Sequence, residues 1–360
     1  MDFHGNSVHQ VGYSHPSVIQ AIQSQLQSLS FCPRRYTNAP AIQLAERLAT
    51  LAPGALNKVL LAPGGTSAIG IAMKIVRYVT GRHKTISMWD SFHGASLDAI
   101  SIGGESLFRD GLEPLLPGCL HVPWPSTIDD AEEVERIFEE EGDIGAVIAE
   151  PMRCTTLERP PHEYWHRVRD LCDSHGALLV FDEIPLALGR TGTMFCCEQL
   201  DIVPDILVIG KGLGGAVMPI AATIVREDLD VLQNRALGHY THEKSPVAAA
   251  AALATLDVIE NEQLLEQSRR LGIVALEQMD QIKRNNPLVT DVRGAGLALA
   301  IEVQSQYAER ILYSCLSNGL SFKISSGNVL TLTPPLTITE EQLRTALSIV
   351  ATALDECALS

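Results

Sequence analysis

The amino-acid sequence predicts an α/β fold, a large unit with a mostly parallel sheet flanked by helices, followed by a smaller C-terminal α+β unit. Short apolar runs lack the polar alternation of half-exposed strands, as strands covered on both faces should. Helical patterns fall between those runs. The change of texture after Pro246 predicts the second unit. At 360 residues the chain is long enough for a substantial core divided between two lobes.

Taken in order, strands are expected at 58–62, 84–88, 146–149, 178–181, 206–209 and 221–225. Helices are expected at 68–79, 131–141 and 164–174. Residues 247 to about 283 read as one long helical tract. A strand at 296–303, a helix near 306–318, a strand at 329–332 and a final helix from Glu340 complete the small unit. The large domain is therefore placed at 16–245 and the small one at 246–360.

Composition excludes several classes of function. Lys and Arg number 27 against 43 Asp and Glu, a formal charge of −16, so the basic footprint of sequence-independent nucleic-acid binding is absent. The alanine-rich run 247–254 is too short to cross a bilayer, and MDFHGNSVHQ has no apolar signal-peptide core. The 8 cysteines form no CxxC pair and no metal-ligand spacing. Scattered thiols of this kind fit a reducing cytoplasm.

The stretch VIGKGLGGAVMP, 208–219, contains G-x-G-x-x-G after an apolar run, with Asp230 lying 20 residues past the first glycine. Those are the written ingredients of a dinucleotide fingerprint. That fingerprint needs a helix to open at the glycines and hold a pyrophosphate, and Pro219 followed by another strand forbids one. The P-loop reading fails as well, because Lys211 is followed by Gly212 instead of Ser or Thr. What remains is a lysine at the C-terminal end of a buried strand, among glycines that let other groups approach. Such a lysine is either solvated or, where desolvated, nucleophilic.

Three other segments end at the same edge of the sheet, where ligands of α/β proteins collect. Asp182 ends the strand at 178–181; it either caps a loop or pairs with the protonated ring nitrogen of a pyridine cofactor. Gly64-Gly65-Thr66-Ser67 opens the helix near Ala68, an ordinary capped turn or a phosphate cradle. Phe92, in Ser91-Phe92-His93-Gly94, is a core aromatic or a ring that stacks on a ligand.

In order along the chain, these segments resemble the class III aminotransferases, a family of pyridoxal-phosphate enzymes. Gly65-Thr66 with Ala68 and Lys74 resembles the family's phosphate cup, and Phe92-His93-Gly94 its aromatic-His-Gly turn. Glu150-Pro151, Asp182-Glu183-Ile184 with Gly189-Arg190-Thr191-Gly192, and Gly210-Lys211-Gly212-Leu213-Gly214-Gly215 resemble its EP, DEV…GRTG and Schiff-base lysine motifs. Thr241 with Pro246 resembles the T-x4-P phosphate segment, and Asp2-Phe3-His4-Gly5 with His15-Pro16 the early segment.

The resemblance implies a fold-type I enzyme carrying pyridoxal 5'-phosphate, usually a homodimer with shared active sites. Lys211 would hold the cofactor and move protons, Asp182 would pair with the ring nitrogen, and Phe92 would stack on the ring. Gly65 and Thr66 would bind its phosphate from one subunit and Thr241 from the other. Family members usually carry a further segment before Asp2-Phe3, so 1–15 would be the remainder of that segment.

The departures bear on the substrate. Ser67 and Gly70 stand at the usual acidic positions of the phosphate cup, and Pro185 replaces a polar residue after the DEV motif. Arg153 stands where glutamine is common, and His242-Glu243-Lys244-Ser245 replaces the customary glycines and asparagine. Thr331 occupies the place of an arginine that often clamps a substrate carboxylate.

The stretches 3–10 and 239–244 are similar to the family's aminophosphonate branch. The leading expectation is therefore elimination of ammonia from a small anionic amine such as a hydroxy-aminoethylphosphonate. Arg153 and Lys244 are then candidate partners for the phosphonate, or solvated surface cations. The alternatives are a transaminase of an ω-amine or amino acid with a 2-oxo acid acceptor, and a catalytically idle regulatory protein that binds the cofactor. Intact Lys211 and Asp182 speak against the last.

Overall fold

A computed structural model describes residues 1–231 and 234–359 of the chain. The large sheet is built from β1 (Leu56–Ala62), β2 (Lys84–Met88), β3 (Cys119–Val122), β4 (Ile144–Ala149), β5 (Leu178–Asp182), β6 (Ile206–Ile209) and β7 (Ala221–Arg226). Their order is β1-β7-β6-β5-β4-β2-β3. Five of the strands, β6, β5, β4, β2 and β3, pair in parallel, and β7 runs antiparallel between β6 and β1. The central strands β4 and β5 are buried at every position, which is why their sequences show apolar runs without alternation.

A second, antiparallel sheet carries β8 (Val289–Ala295), β9 (Ala298–Val303), β10 (Lys323–Ser325) and β11 (Val329–Leu332), in the order β10-β11-β9-β8. The helix Glu340–Ala358 starts at a capping box between Thr339 and Gln342, which satisfies two backbone donors reciprocally. The N-terminal residues are tied to this lobe. Asp2 bridges to Ser321, and the Phe3 and Gln10 carbonyls accept from the amides of Thr333 and Leu336.

Several elements differ from the sequence expectation, each for a local reason. The expected tract 247–283 is two helices, Pro246–Asn261 and Leu264–Asn285, separated at Gln263 with φ of 53°. The break falls in Glu260-Asn261-Glu262-Gln263, all exposed, with no proline or glycine to mark it in the sequence. The strand expected from 296 starts at Ala298, because Gly296, at φ 53°, makes the turn between β8 and β9.

The helices Pro16–Ser28 and Ala39–Leu51 were not among the expected elements, although each begins with a proline in its first turn. Asn38 caps the second by accepting the Ala41 amide. The edge strand β3 was also missed; only its last residue, Val122, is buried.

Trp165 shows how the core is coupled to the functional edge. It is fully buried on the helix His162–His175 and packs edge-on against Phe181 of β5. Its indole N–H donates to the Pro151 carbonyl at 3.0 Å. One side chain thus holds the turn after β4 against the strand that ends in Asp182.

Candidate active site

Strands that run in the same direction end at the same sheet edge: β1, antiparallel to β7 and so aligned with β6, before Gly64, β2 before Phe92, β4 before Glu150, β5 at Asp182 and β6 before Lys211. Since β7 is antiparallel, its first residues also start there. Lys211 opens a short 3-10 turn, Lys211–Gly214, at φ 45°. Gly212 beside it leaves room for the Gln10 side chain, which a Cβ there would displace. Among the described residues the Lys211 amine has no hydrogen-bond or ion-pair partner, and Lys211 lines a cavity of about 320 Å³ with Val8, Gly64, Gly65 and the segment 216–220.

The helix Gly65–Thr80 opens on the far wall of that cavity. Its N-cap, Gly64, offers no side-chain cap, so the first backbone N–H groups are available to an anion. A Cβ on Gly65 would come within 2.7 Å of Ile184, so a larger residue would close the turn. Gly94, at φ 132°, lies so close to Thr66 that a Cβ would stand 2.5 Å from its Oγ1. Gly65, Thr66 and the turn after β2 therefore form one packed cradle.

Asp182 is buried and held at both oxygens. Its Oδ2 accepts from His93 Nδ1 at 2.8 Å, and its Oδ1 accepts the Ile184 amide at 3.0 Å. His93 was quoted within the sequence motif without a role; its only signal was adjacency to Phe92. Neighbouring carboxyls feel the dry surroundings. Burial raises Glu150 above its ordinary value, although a hydrogen bond from the Cys154 side chain opposes it. Burial pushes Glu183 up to about 7 against the amides of Cys196 and Cys197, which donate to its two oxygens.

The remaining sequence-derived candidates are distributed more widely. Phe92 is 37% exposed, with its ring tilted at 4.7 Å from Phe108. Thr241 is exposed on a loop that lies over the helix Gly65–Thr80, where Lys74 donates to the Leu237 carbonyl at 2.8 Å. Arg153 is buried, its guanidinium 4.5 Å from the Trp124 ring and its Nη2 donating to the Trp89 carbonyl, while its Nε has no partner among the described residues. Lys244 donates to the carbonyls of Arg34 and Tyr36 at 2.8 and 2.9 Å. It lines a different cavity from Lys211, with Arg34, Asn38 and Glu243.

Thr331 on β11 is also committed. Its hydroxyl donates to the Thr155 carbonyl at 2.6 Å and contacts Ser325 Oγ at 3.0 Å. Directly opposite it on β10 stands Lys323, which sequence reasoning missed. Partners in an antiparallel pair share a face, so Lys323 takes the side of the sheet that Thr331 turns towards Thr155. Burial, then the Lys323 charge, lower the pKa of His4 below its ordinary value; Lys211 adds to this and Asp2 opposes it. Burial also raises Glu105, with Lys323 opposing. Lys323, His4 and Lys211 thus form one electrostatic neighbourhood.

A family model described as Aminotransferase class-III matches residues 1–354. The chain belongs to the class III aminotransferase family. It is 46% identical to the (R)-1-hydroxy-2-aminoethylphosphonate ammonia-lyase of Vibrio splendidus, over 98% of this chain and 81% of that one. It is 36% identical to the acetylornithine aminotransferase of Methanopyrus kandleri, over 97% of this chain and 88% of the other. Among solved structures, a transaminase from the marine bacterium Virgibacillus superposes with a TM-score of 0.95 at 27% identity, covering 100% of this chain and 89% of that one.

As a class III aminotransferase-family member, the chain is a pyridoxal-phosphate-dependent enzyme of the fold-type I architecture. Its own residues fit such a cofactor: an unpartnered amine at Lys211, a doubly held carboxylate at Asp182, and uncapped amides at Gly64-Gly65. No helix among the described residues is long and apolar enough to cross a membrane.

Proposed function

We propose that the chain binds pyridoxal 5'-phosphate and eliminates ammonia from a small hydroxylated aminophosphonate, as the Vibrio splendidus relative's name states for that protein. Lys211 would hold the cofactor, Asp182 would face its ring nitrogen, Phe92 would lie against the ring, and Gly65, Thr66 and Thr241 would receive its phosphate. When bound, the cofactor supplies an electron sink for the carbon beside the substrate nitrogen. The Lys211 amine takes the proton from that carbon. Asp182, held by His93 and the Ile184 amide, keeps its charge aimed at one position. The hydroxyl on the adjacent carbon would leave as water with the proton that Lys211 has taken, and the freed enamine would take up water to give an aldehyde and ammonia.

The observation that carries elimination over amino-group exchange is Thr331. Its hydroxyl is consumed by Thr155, so the strand offers no bidentate clamp for the carboxylate of an amino acid. Lys323, across the ladder, offers one point charge suited to a phosphonate oxygen. A second subunit would cover exposed Phe31, Tyr36, Trp89, Phe92 and Leu97, which supports a homodimer with shared active sites.

The experiment is ammonia release from 1-hydroxy-2-aminoethylphosphonate with no 2-oxo acid present. Ammonia and an aldehyde in equal amounts are expected; turnover that strictly requires an oxo-acid acceptor overturns elimination in favour of the transaminase reading that the structural neighbours support. Lys211→Ala should lose both turnover, by at least about 10³-fold, and the visible absorbance of lysine-bound cofactor.

A further inference from the structure

At the tip of the loop that carries Thr241, His239, Thr241 and His242 are exposed, and Tyr240 packs half-buried against the core. Yet it holds a demanding shape, with His239 at φ 81°, a conformation that costs a non-glycine residue of order 1 kcal/mol or more. The shape is imposed by Glu243, which is buried. Its Oε2 accepts the amides of His239 and Tyr240 at 2.9 and 3.0 Å, and its Oε1 accepts from Arg34 Nε. A Cβ on Gly238 would run into that same carboxylate and displace it.

The contact is a splint along two loops. Lys244 donates to the carbonyls of Arg34 and Tyr36, and Asn38 Nδ2 returns a bond to the Lys244 carbonyl at 3.0 Å. Phe31 meets His242 edge-on at 5.4 Å. Asn38 also caps the helix Ala39–Leu51, and Ser245 caps Pro246–Asn261 by accepting the Ala248 amide. Each loop is therefore fixed to a helix at its far end, and the two are joined through Glu243 and Lys244.

We infer that residues 31–38 position the Thr241 loop for a phosphoryl group, with Glu243 and Arg34 as positioning residues that do not touch it. This rests on the reading that Thr241 receives the cofactor phosphate, and it gives the motif 239–244 a task that the family's customary glycines and asparagine would perform by a different backbone. Removing the Arg34 guanidinium frees Glu243 from one side; removing the Glu243 charge frees both the amides and Arg34. Because the two act through one contact, their effects should not add.

The test measures pyridoxal phosphate dissociation from the full-length protein for wild type, Arg34→Gln, Glu243→Gln and the double variant, with the 31P resonance of the bound cofactor as a second readout. About a tenfold weaker affinity is expected in each single variant, little further loss in the double, a moved 31P resonance, and recovery to within about threefold in Arg34→Lys. Thr241→Ala should weaken binding at least as much as either. Affinities within twofold of wild type and an unmoved resonance in well-folded single variants overturn the inference, as do fully additive losses. A folded wild-type protein that takes up no pyridoxal phosphate overturns instead the functional reading beneath it. Thermal melts of the cofactor-free variants separate a loosened loop from global unfolding.

Discussion

The two halves of the proposed site are held by different means. The cofactor half is made of strand ends: Asp182 and Lys211 terminate adjacent strands paired in parallel, and the Asp182 carboxylate is fixed at both oxygens. The proposed substrate half would be made of side chains on the small sheet and the N-terminal segment, where Lys323 is exposed and His4 half-buried. A sheet edge allows little freedom to the residue that follows it, whereas an exposed lysine can be replaced with small cost to stability. The difference suits a scaffold that keeps one cofactor chemistry and varies what it acts on.

Asp182→Asn breaks the cofactor half most directly. The amide keeps the size and one acceptor but removes the charge from a buried, doubly bonded position. With cofactor saturating, kcat should fall about 10²–10³-fold, the scale of losing one preorganised electrostatic group. Unchanged kcat in a folded, cofactor-loaded variant would remove Asp182 from the mechanism.

The next effect is on stability. Glu183 adjoins Asp182 and is fully buried, with burial pushing it up to about 7 from an ordinary 4.5. A carboxyl raised on folding is protonated more in the folded chain than in the unfolded one between those two values. Stability therefore declines as pH rises from about 4.5 to 7 and is level above that, a change on the order of 3 kcal/mol for a shift of this size. Glu183→Gln should flatten that part of the curve. Urea midpoints for both proteins at pH 5 and pH 7.5 check this; equal slopes would mean that Glu183 ionises in the fold as it does in the unfolded chain.

The same contrast explains what the sequence revealed. β2, β5 and β6 lie where apolar runs placed them, to within one residue at either end, because a buried parallel strand records its surroundings in its own composition. Asp182 and Lys211 could then be placed at one edge by counting from strand ends. The contacts of Arg153 and Lys244 could not, since Trp124, Trp89, Arg34 and Tyr36 meet them only through tertiary packing. Lys323 was hidden for a related reason. β10 has only three residues, too few for any periodicity, and the pairing with Thr331 is a matter of register. His93 was visible as a letter, but its bond to Asp182 spans 89 residues of chain.

The smallest expected effect sharpens the comparison furthest, because it separates substrate binding from chemistry. Lys323→Ala removes one exposed charge next to His4 and Glu105 without touching the strand ends. For a phosphonate substrate, KM should rise about tenfold at low ionic strength, the order expected for one charge-assisted hydrogen bond, with kcat within about twofold. Lys323→Arg should stay close to wild type, and added salt should shrink the difference, since an exposed cation is screened over about 10 Å at 0.1 M. A neutral amine of the same length should show no such dependence. Arg153→Ala gives the opposite signature: it removes a buried guanidinium stacked on Trp124 and should lower the melting temperature whatever the substrate. If Lys323→Ala leaves KM for the phosphonate unchanged while Arg153→Ala raises it in a protein of normal stability, the anion partner is Arg153, and the substrate half is built from the large sheet after all.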